Sequence, residues 1–395
     1  LGVRFRHIEK PASEGETRQV LARASREKLT VFPCGGGTAL ASGVLPDAVD
    51  VAVDTTGMDR VLALDAQNLN IEAMAGANLD RINESLGAEG KGFFLPLDPP
   101  LSGRATIGGV YAGNASGPLR LLYGTVRDQA LGVRGVDALG NEVGFGGKTV
   151  KNVSGYDLTK FLAGSAGSLC LITSVSLRIY PLPESASFCE ITLGGVDQVE
   201  KFLGALRASV LVPSAVVVQP AGAAFRAVAA FEGHARAVER ENKDILALAR
   251  EFGGAGRCQE GREAMVQALR AAVDPPGTGP DRMTLKISVP IAQGPRTLGA
   301  AGKLAHSCGV AAKLVLLGGS GVVLLHGSSG GGEIARFIKE VRELGPTNGG
   351  WTSPLHLRRD LLSGWGPRAD AGLQQWVFKP IKEKLDPSGV FPPIL

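Results

Sequence analysis

The chain has 395 residues, a length that suits two or three domains rather than a single core. Its 55 glycines lie in short clusters without a collagen-like period, and its net charge of +4 comes from well-mixed acidic and basic residues. With no block of Lys and Arg and few aromatic side chains, the composition argues against nucleic-acid binding and against a membrane-surface role.

Five cysteines are scattered along the chain without a Cys-x-x-Cys pair. They are Cys34, Cys170, Cys189, Cys258 and Cys308. This pattern argues against a zinc or iron–sulfur site held by this chain alone, and an odd number fits a reducing compartment better than a secreted disulfide framework. No apolar run reaches the length that spans a bilayer. We therefore expect a soluble cytoplasmic protein with no transmembrane segment.

The first motif is a run of three glycines that follows a short predicted strand. Residues 11–28 predict an opening turn and a helix, which Ser13 can cap, and residues 29–32 predict the strand. The sequence Gly-Gly-Gly-Thr at residues 35–38 would expose a row of backbone amides and one hydroxyl. Such a row can bind an anion such as a pyrophosphate, although a hairpin turn without a ligand fits these four residues about as well.

Two better-known phosphate-binding motifs are excluded by counting. A dinucleotide fingerprint that starts at Gly35 needs Gly or Ala at position 40, where Leu40 stands. A P-loop that ends at Lys148 and Thr149 needs Gly at position 142, where Glu142 stands. The glycine run is therefore a weak signal by itself.

A second tract of small residues covers residues 105–117. Strands and a helix are predicted between the two tracts, at residues 49–53, 61–64, 70–75 and 79–86. The proline-rich residues 94–100 precede the second tract and do not suit regular structure. Small side chains at this density favour close approach of the backbone to a flat or extended ligand; the alternative is a tightly packed helix–loop junction.

The stretch from residue 151 to residue 173 is the motif around which the chain is organised. A polar loop at residues 151–157 precedes a short helix at 158–162, and a small-residue turn at 164–168 leads into a β-rich run. Small residues in this position also let a ligand lie against backbone amides. A loop–helix–strand connection without a ligand is equally consistent with the stretch taken alone.

The second half of the chain repeats one order of elements. Residues 188–252 predict a strand, a helix, a hairpin and a helix, and residues 283–344 repeat that order after a Pro/Gly linker. Two β-α-β-β-α units side by side predict one antiparallel sheet with helices on a single face. We therefore predict domains at residues 1–185 and 186–345, with residues 346–395 returning to the first domain.

Taken together, the motifs resemble the FAD-binding oxidoreductases of the vanillyl-alcohol oxidase (PCMH-type) family. The matching motifs, in the order of the family, are residues 33–38, 106–117, 151–158, 164–167, 171–173 and 385–391. The resemblance implies an α+β fold with a two-subdomain PCMH-type FAD-binding domain and an antiparallel-sheet cap domain with helices on one face. Within the family, Pro-Leu-Asp-Pro-Pro followed by Arg-Ala-Thr-Ile-Gly-Gly, and later Gly-Tyr-Asp-Leu, are most similar to the FAD-binding E subunits of bacterial glycolate oxidases.

The resemblance also implies which residues bind FAD. The residues that would hold the pyrophosphate are Gly35, Gly36, Gly37 and Thr38. Those that would line the path to the flavin edge are Pro99, Thr106, Gly109, Gly113 and Ser116, and the residue that would bound the adenine is Ile172. Amides suit the dianionic pyrophosphate, and small apolar residues suit the isoalloxazine.

The sequence departs from the family in two places, and a third position bears on how the flavin is attached. Cys170 stands where the family usually has Gly, and the C-terminal motif reads Phe391-Pro392-Pro393 instead of Phe-Asn-Pro-Gly. Members that bind flavin covalently use a His or Cys near the first two loops. Only Cys34 is available there, inside the pyrophosphate loop, so we expect non-covalent FAD.

The sequence does not identify a catalytic base. Catalytic relatives carry a His-rich metal-binding motif at the end of the cap, whereas the histidines here are isolated, so we expect no metal. The five, each expected in a structural or surface role, are His7, His234, His306, His326 and His356. The next candidates are Tyr123 and Tyr156 as a base, and Arg127, Arg358 and Arg359 as partners of a substrate carboxylate.

These implications describe the FAD-binding subunit of a multi-subunit glycolate or 2-hydroxy-acid oxidase complex. The implied partners are a catalytic flavoprotein resembling the D subunits of glycolate oxidases and an iron–sulfur protein resembling their F subunits, with the FAD of this chain as an electron relay or a structural element. The partners would also allow attachment to the inner face of the membrane. The alternatives are a self-sufficient FAD-dependent 2-hydroxy-acid dehydrogenase and a non-catalytic scaffold that has lost FAD.

Overall fold

The computed structural model describes residues 4–40, 48–87, 92–147, 157–277, 279, 281–328, 330, 333–362, 365 and 377–393. The predicted loop at residues 151–156, including the candidate base Tyr156, lies outside the described residues. The chain divides into two compact units. Unit 1 comprises Leu1–Ser116, Gly124–Leu182 and Gly364–Leu395, and unit 2 comprises Gly117–Tyr123 and Pro183–Ser363.

The structure contains both strands and helices in each unit. The strands are β1 (Arg4–Glu9), β2 (Val31–Cys34), β3 (Ala48–Asp54), β4 (Val61–Asp65), β5 (Asn70–Met74), β6 (Phe93–Phe94), β7 (Ala130–Val136), β8 (Glu142–Gly146), β9 (Leu171–Arg178), β10 (Tyr180–Pro181), β11 (Ser185–Leu193), β12 (Ala215–Ala221), β13 (Ala224–Gly233), β14 (Ala255–Glu260), β15 (Arg282–Ser288), β16 (Ala312–Leu317), β17 (Val322–Ser328) and β18 (Trp351–His356).

The helices are mostly short in unit 1 and longer in unit 2. They are α1 (Glu14–Glu27), α2 (Leu79–Gly87), α3 (Ile107–Gly113), α4 (Arg120–Tyr123), α5 (Val126–Gln129), α6 (Leu158–Leu162), α7 (Val196–Ala208), α8 (Ala235–Glu251), α9 (Arg262–Val273), α10 (Gly294–Ser307), α11 (Ile334–Thr347) and α12 (Lys379–Leu385). Within the described ranges, none of them combines the length and the apolar character that crossing a bilayer requires.

Unit 1 begins with a small parallel sheet in the order β1-β3-β2. The predicted cap of α1 is present, because the Ser13 side chain accepts a hydrogen bond from the backbone N–H of Glu16. One apolar face of α1 is buried through Leu21 and Ala24 against strand residues that include Val51. This packing fixes β2, whose C-terminal end leads directly into the first glycine tract.

The second sheet of unit 1 is antiparallel, in the order β4-β5-β9-β7-β8. Its central strands are buried on both faces: all of β5 and all of β9 except its last residue are buried. Helices α2 and α3 pack on it through residues such as Ile82 and Ile107. The sheet therefore provides a rigid wall beside which α3 presents its small residues.

Unit 2 is built on one eight-stranded antiparallel sheet in the order β14-β11-β13-β12-β16-β17-β15-β18. The two predicted repeats form its two halves, which are joined where Val217 and Val218 on β12 pair with β16. The predicted strands and helices of both repeats are present.

The prediction of helices on a single face is wrong for α9. The side chains of Met265 and Leu269 on α9 pack with Val217 and Val228 on one face of the sheet, whereas Asn242 on α8 contacts Ser187, whose side chain points to the opposite face. Nothing in the sequence indicated β14, because this edge strand is mostly exposed and lacks the alternation of apolar and polar residues that marks a half-buried strand.

Two cysteines that are far apart in the sequence are joined in unit 2. Cys189 on β11 and Cys258 on β14 lie directly opposite each other on neighbouring strands and form a disulfide. Our expectation of unpaired cysteines in a reducing compartment did not anticipate this bond. The two residues are 69 positions apart, and only the strand pairing brings them into contact. The other three cysteines have free thiols.

Candidate functional site

Unit 1 contains a pocket of about 820 Å³, counting the part that is open to solvent. Three stretches form most of its wall: residues 32–40 in β2 and the loop after it, residues 106–113 around α3, and residues 166–172 before and at the start of β9. More than half of the lining residues are glycine or alanine, and none is Asp, Glu, Lys or Arg. The described wall therefore consists mainly of small, uncharged side chains. An anion bound there would accept hydrogen bonds from backbone amides and hydroxyl groups.

The two glycine tracts pack directly against each other. A Cβ atom on Gly35 would overlap the Thr106 hydroxyl, and a Cβ atom on Gly36 would overlap the Arg104 carbonyl. The Arg104 guanidinium donates a hydrogen bond to the Gly36 carbonyl at 3.4 Å. Because residues 35 and 36 have no side chains, the two tracts can pack closely enough to line the same pocket.

Helix α3 forms the second wall, and its orientation is fixed at its N-terminal end. The Thr106 hydroxyl caps the helix by accepting from the Gly109 N–H at 3.4 Å. The Gly108 N–H donates to the Ala75 carbonyl at 2.8 Å. A Cβ atom on Gly108 would lie 2.6 Å from the Ala75 Cβ, so glycine is needed for this close approach of α3 to the end of β5.

The small-residue turn before β9 forms the third wall. Its backbone is tied to α3, because the Ala166 N–H donates to the Ala112 carbonyl at 2.8 Å. Gly167 has a left-handed backbone conformation (φ +75°), and a Cβ atom there would stand 3.3 Å from Pro33. Glycine therefore serves both the turn geometry and the close contact with Pro33 on β2.

Eight of the ten residues predicted to bind a cofactor line this pocket. They are Gly35, Gly36, Gly37, Thr38, Thr106, Gly109, Gly113 and Ile172. Pro99 is buried in the segment between β6 and α3, and Ser116 is half-buried just beyond α3, so neither belongs to the wall. The eight predicted residues that line the pocket are up to 137 positions apart, from Gly35 to Ile172.

Several wall residues were absent from the predicted set. They include Thr55, Ala75, Ala112, Ala166, Gly167 and Leu171. Ala166 and Gly167 belong to the small-residue turn, whose composition was a usable signal. Thr55 and Ala75 merely follow the ends of β3 and β5, and only the packing of the two sheets shows that these positions matter.

Two free thiols lie in the wall of the pocket, and both are held in the neutral form. Burial, with a smaller effect of the nearby Asp54 carboxylate, raises the pKa of Cys34 to about 11. Burial, with a smaller effect of Asp137, raises the pKa of Cys170 to about 12. Because the thiolate is the nucleophilic form, neither cysteine is activated for covalent chemistry.

The candidate catalytic side chains have other partners. The Tyr123 hydroxyl donates to Glu232 at 3.4 Å, and the Arg127 guanidinium donates to the Lys160 carbonyl at 3.3 Å. Arg358 forms a two-point ion pair with Asp360, and Arg359 lies in the following 3-10 turn.

The two buried histidines of unit 2, His326 and His356, lie beside polar groups of neighbouring strands. His326 is fully buried with its Nδ1 atom 3.2 Å from the Thr284 hydroxyl, and the His356 Nδ1 atom lies 2.7 Å from the Arg282 carbonyl. Burial, with smaller contributions from nearby Lys313 and Arg282, lowers the pKa of His326 to about 4. His326 is therefore neutral near pH 7. No group of three metal-ligating side chains occurs in the part of the chain that the structure describes.

Comparison with known sequences assigns the pocket-bearing part of the chain. The sequence profile of a family described as "FAD binding domain" matches residues 6–146. The matched residues, which include two of the three pocket walls, are therefore similar to an FAD-binding domain. The pocket fits such a cofactor, because its lining is uncharged and consists mostly of small and apolar residues with three threonines. The cofactor that this match indicates is FAD.

Two curated relatives are similar to part of the chain. A D-lactate dehydrogenase of Archaeoglobus fulgidus (strain ATCC 49558 / DSM 4304 / JCM 9628 / NBRC 100126 / VC-16) is 36% identical over 176 residues, which cover 44% of this chain and 38% of the relative. Glycolate oxidase subunit GlcE of Escherichia coli (strain K12) is 39% identical over 127 residues, which cover 32% of this chain and 36% of the relative. The chain thus spans less than half the length of either relative.

A solved structure extends the likeness of fold to the whole chain. Xylooligosaccharide oxidase from Myceliophthora thermophila C1, in complex with xylobiose, superposes with a TM-score of 0.74 at 17% identity. The superposition covers all of this chain and 93% of the oxidase. At this identity the similarity concerns the fold alone.

Proposed function

We propose that this chain is the FAD-binding subunit of a complex that oxidises a 2-hydroxy acid such as glycolate. The observation that carries the proposal is the glycine-lined pocket of the FAD-binding domain. The substrate class is supported by the names of the two relatives, a D-lactate dehydrogenase and a glycolate oxidase subunit. The proposed FAD domain comprises residues 1–185 and 364–395, and the proposed cap comprises residues 186–363; the cap extends past the sequence-based boundary at 345 because β18 belongs to the sheet of unit 2.

In this proposal each pocket wall contacts a different part of FAD. The diphosphate would be held at residues 35–38, where backbone amides and the Thr38 hydroxyl would serve as donors. Thr106, Gly109 and Gly113 would line the path toward the flavin, and Ile172 would bound the adenine. Pro99 and Ser116 would support this wall from outside the lining. Bound FAD would supply the redox chemistry that oxidation of a hydroxy acid requires.

The proposed attachment of FAD is non-covalent. Cys34 is the single cysteine in the first glycine loop, and its pKa of about 11 keeps the thiol protonated at neutral pH. A neutral thiol is a poor nucleophile toward a flavin ring. FAD would therefore be retained by fit and hydrogen bonding alone.

The subunit role is supported by how the candidate catalytic side chains are engaged. Tyr123 and Arg358, proposed from sequence as a base and a carboxylate partner, contact Glu232 and Asp360. The five histidines are isolated in the sequence, so they do not form the His-rich metal-binding motif expected of a catalytic relative. We therefore propose that a second flavoprotein, resembling the D subunits of glycolate oxidases, oxidises the substrate. An iron–sulfur protein resembling their F subunits would pass electrons on, in the cytoplasm or at the inner face of the membrane.

The likeness to a D-lactate dehydrogenase favours a second candidate, a self-sufficient FAD-dependent 2-hydroxy-acid dehydrogenase. The test is to purify the chain alone, record its visible absorbance with added FAD, and assay glycolate and D-lactate with an artificial electron acceptor. We expect a bound-flavin spectrum without turnover, and turnover when the partner subunits are co-expressed.

The same experiment separates the three candidates. Robust turnover by the chain alone would contradict the accessory role and support the self-sufficient dehydrogenase. Failure to bind FAD at any concentration would contradict both flavin-dependent functions and leave the scaffold. A chain that binds FAD and increases the turnover of the partner complex would support the subunit role.

A further inference from the structure

A buried lysine near the C-terminus binds several parts of unit 1 at once. The Lys382 side chain, in α12, is 16% exposed, and its partner carboxylate, Asp386, is fully buried. The Lys382 Nζ atom lies 2.6 Å from the Asp386 Oδ2 atom. It also lies within hydrogen-bonding distance of three main-chain carbonyls, those of Ser168 (2.5 Å), Pro392 (3.0 Å) and Phe391 (3.2 Å).

One of these carbonyls belongs to the third wall of the pocket. Ser168 follows the wall residues Ala166 and Gly167. The Ser168 hydroxyl closes the turn by donating to the Ser165 carbonyl at 2.6 Å, and the Ala166 N–H binds α3. The Lys382 ammonium is thus a donor that reaches this turn from outside the pocket.

The other two carbonyls belong to a segment that is bound to β2. Asp386 accepts hydrogen bonds from the N–H groups of Val390 (2.7 Å) and Phe391 (2.9 Å). The Val390 carbonyl in turn accepts from the Val31 N–H at 2.7 Å, at the first residue of β2. Strand β2 leads into the glycine loop at residues 35–38. A chain of buried hydrogen bonds therefore runs from Lys382 to the first wall as well.

We propose that Lys382 is a positioning residue that sets the FAD affinity of the pocket. Its ammonium group links the turn at residues 164–168 to the C-terminal segment that is bound to β2, the strand before the glycine loop. This inference rests on the proposed FAD-binding function. Lys382 does not line the pocket, so it acts through the backbone of the two walls.

The physical reason is pre-organisation. The pocket lining is uncharged and would hold FAD through small residues and backbone groups. Its affinity for FAD therefore depends on the position of the main chain. An ammonium with buried main-chain acceptors on both sides fixes that main chain before the ligand arrives, which lowers the cost of binding. Residues 385–391 contain the matching C-terminal motif, whose ending departs from the family, and here the Phe391 and Pro392 carbonyls serve as acceptors for Lys382.

The first test compares two lysines on the same helix. Lys382→Met removes the ammonium while keeping the length of the side chain, and Lys379→Met is the matched control because Lys379 is 66% exposed. We expect Lys382→Met to raise the Kd for FAD, measured by quenching of flavin fluorescence, by about ten-fold or more. Lys379→Met is expected to leave the Kd within about two-fold of the wild-type value, since surface ion pairs contribute little.

A second variant guards against a loss of folding, because Lys382→Met leaves the Asp386 carboxylate buried without its cation. The double variant Lys382→Met, Asp386→Asn removes both charges and keeps an oxygen that can accept from the Val390 or Phe391 N–H. The melting temperature and circular dichroism of the FAD-free proteins report folding separately from affinity. We expect the double variant to fold and still to show a raised Kd, because the Ser168 carbonyl has lost its donor.

The outcomes separate this inference from the function on which it rests. A folded double variant with the wild-type Kd, whatever its melting temperature, would show that Lys382 is only structural and would overturn the inference while leaving FAD binding intact. Wild-type protein that binds no FAD would overturn the proposed function itself.

Discussion

The five-stranded sheet of unit 1 and the eight-stranded sheet of unit 2 are both antiparallel, yet the space beside them is used differently. Beside β5 and β9 the chain places small residues such as Gly108 and Ala112, which leave a pocket. Beside β12 and β13 it places larger side chains such as Met265 and Leu269, which fill the corresponding layer. The difference in side-chain volume explains why this layer is open beside β5 and β9 and filled beside β12 and β13.

The two units also bury their polar groups differently. Unit 1 surrounds the buried Lys382 ammonium with acceptors, including the Asp386 carboxylate. Unit 2 buries His326 beside two cationic side chains, Lys313 and Arg282, which disfavour its charged form. The first arrangement pairs a charge with acceptors, although burial still lowers the pKa of Lys382, and the second excludes a charge, so the units are expected to respond to different changes.

The largest effect is expected from adding one methyl group to the pocket wall of unit 1. Gly36→Ala places a Cβ atom onto the Arg104 carbonyl, a backbone group that cannot move away without displacing the second wall. We expect a loss of about 1–3 kcal/mol in the free energy of unfolding, and loss of FAD binding. Visible flavin absorbance after gel filtration measures the second effect.

The matched control for this change is Gly87→Ala, at the exposed end of α2, where an added Cβ atom would have no atom of the described residues within 4 Å. It should retain FAD and the wild-type melting temperature. Normal FAD binding by Gly36→Ala would show that the contact between the two glycine tracts does not define the pocket.

An intermediate effect is expected in unit 2 when the pH is lowered. The pKa of His326 is about 4 in the folded state and 6.5 unperturbed, so the unfolded chain binds more protons between these values. The folded protein therefore loses up to about 3 kcal/mol of stability as the pH falls from 6.5 toward 4. Urea denaturation across this range should show the loss, and His326→Gln should reduce it.

His306→Gln is the control for the pH experiment, because His306 is exposed on α10. It should follow the wild-type pH dependence. Equal pH dependence in His326→Gln and wild-type protein would mean that other groups, such as carboxylates, account for the acid sensitivity.

The smallest effect is expected from the thiol in the first pocket wall. Because the Cys34 thiol is neutral, with a pKa of about 11, Cys34→Ser should leave the amount of bound flavin within about two-fold of the wild type. Acid precipitation of the wild-type holoprotein should release all flavin into the supernatant. Flavin that stays with the precipitated wild-type chain, and is absent from the Cys34→Ser precipitate, would establish a covalent bond.

Short-range patterns in the sequence were sufficient for many individual elements. Ser13 and Glu16 indicated the start of α1, and the recurring order of predicted strands and helices indicated both repeats of unit 2. The density of small residues marked the two tracts and the turn that form most of the pocket wall. These features depend on neighbours within a few positions, so local backbone and side-chain preferences determine them.

Only the tertiary structure decided which distant residues meet. It brought residues 35–38 against residues 104–106, paired Cys189 with Cys258, and placed the Ser168 carbonyl at the Lys382 ammonium. It also kept Pro99 and Ser116 out of the wall and put α9 on the second face of its sheet. The physical reason is that each of these contacts depends on strand order and on the packing of whole layers, and the local sequence around any single residue does not encode them.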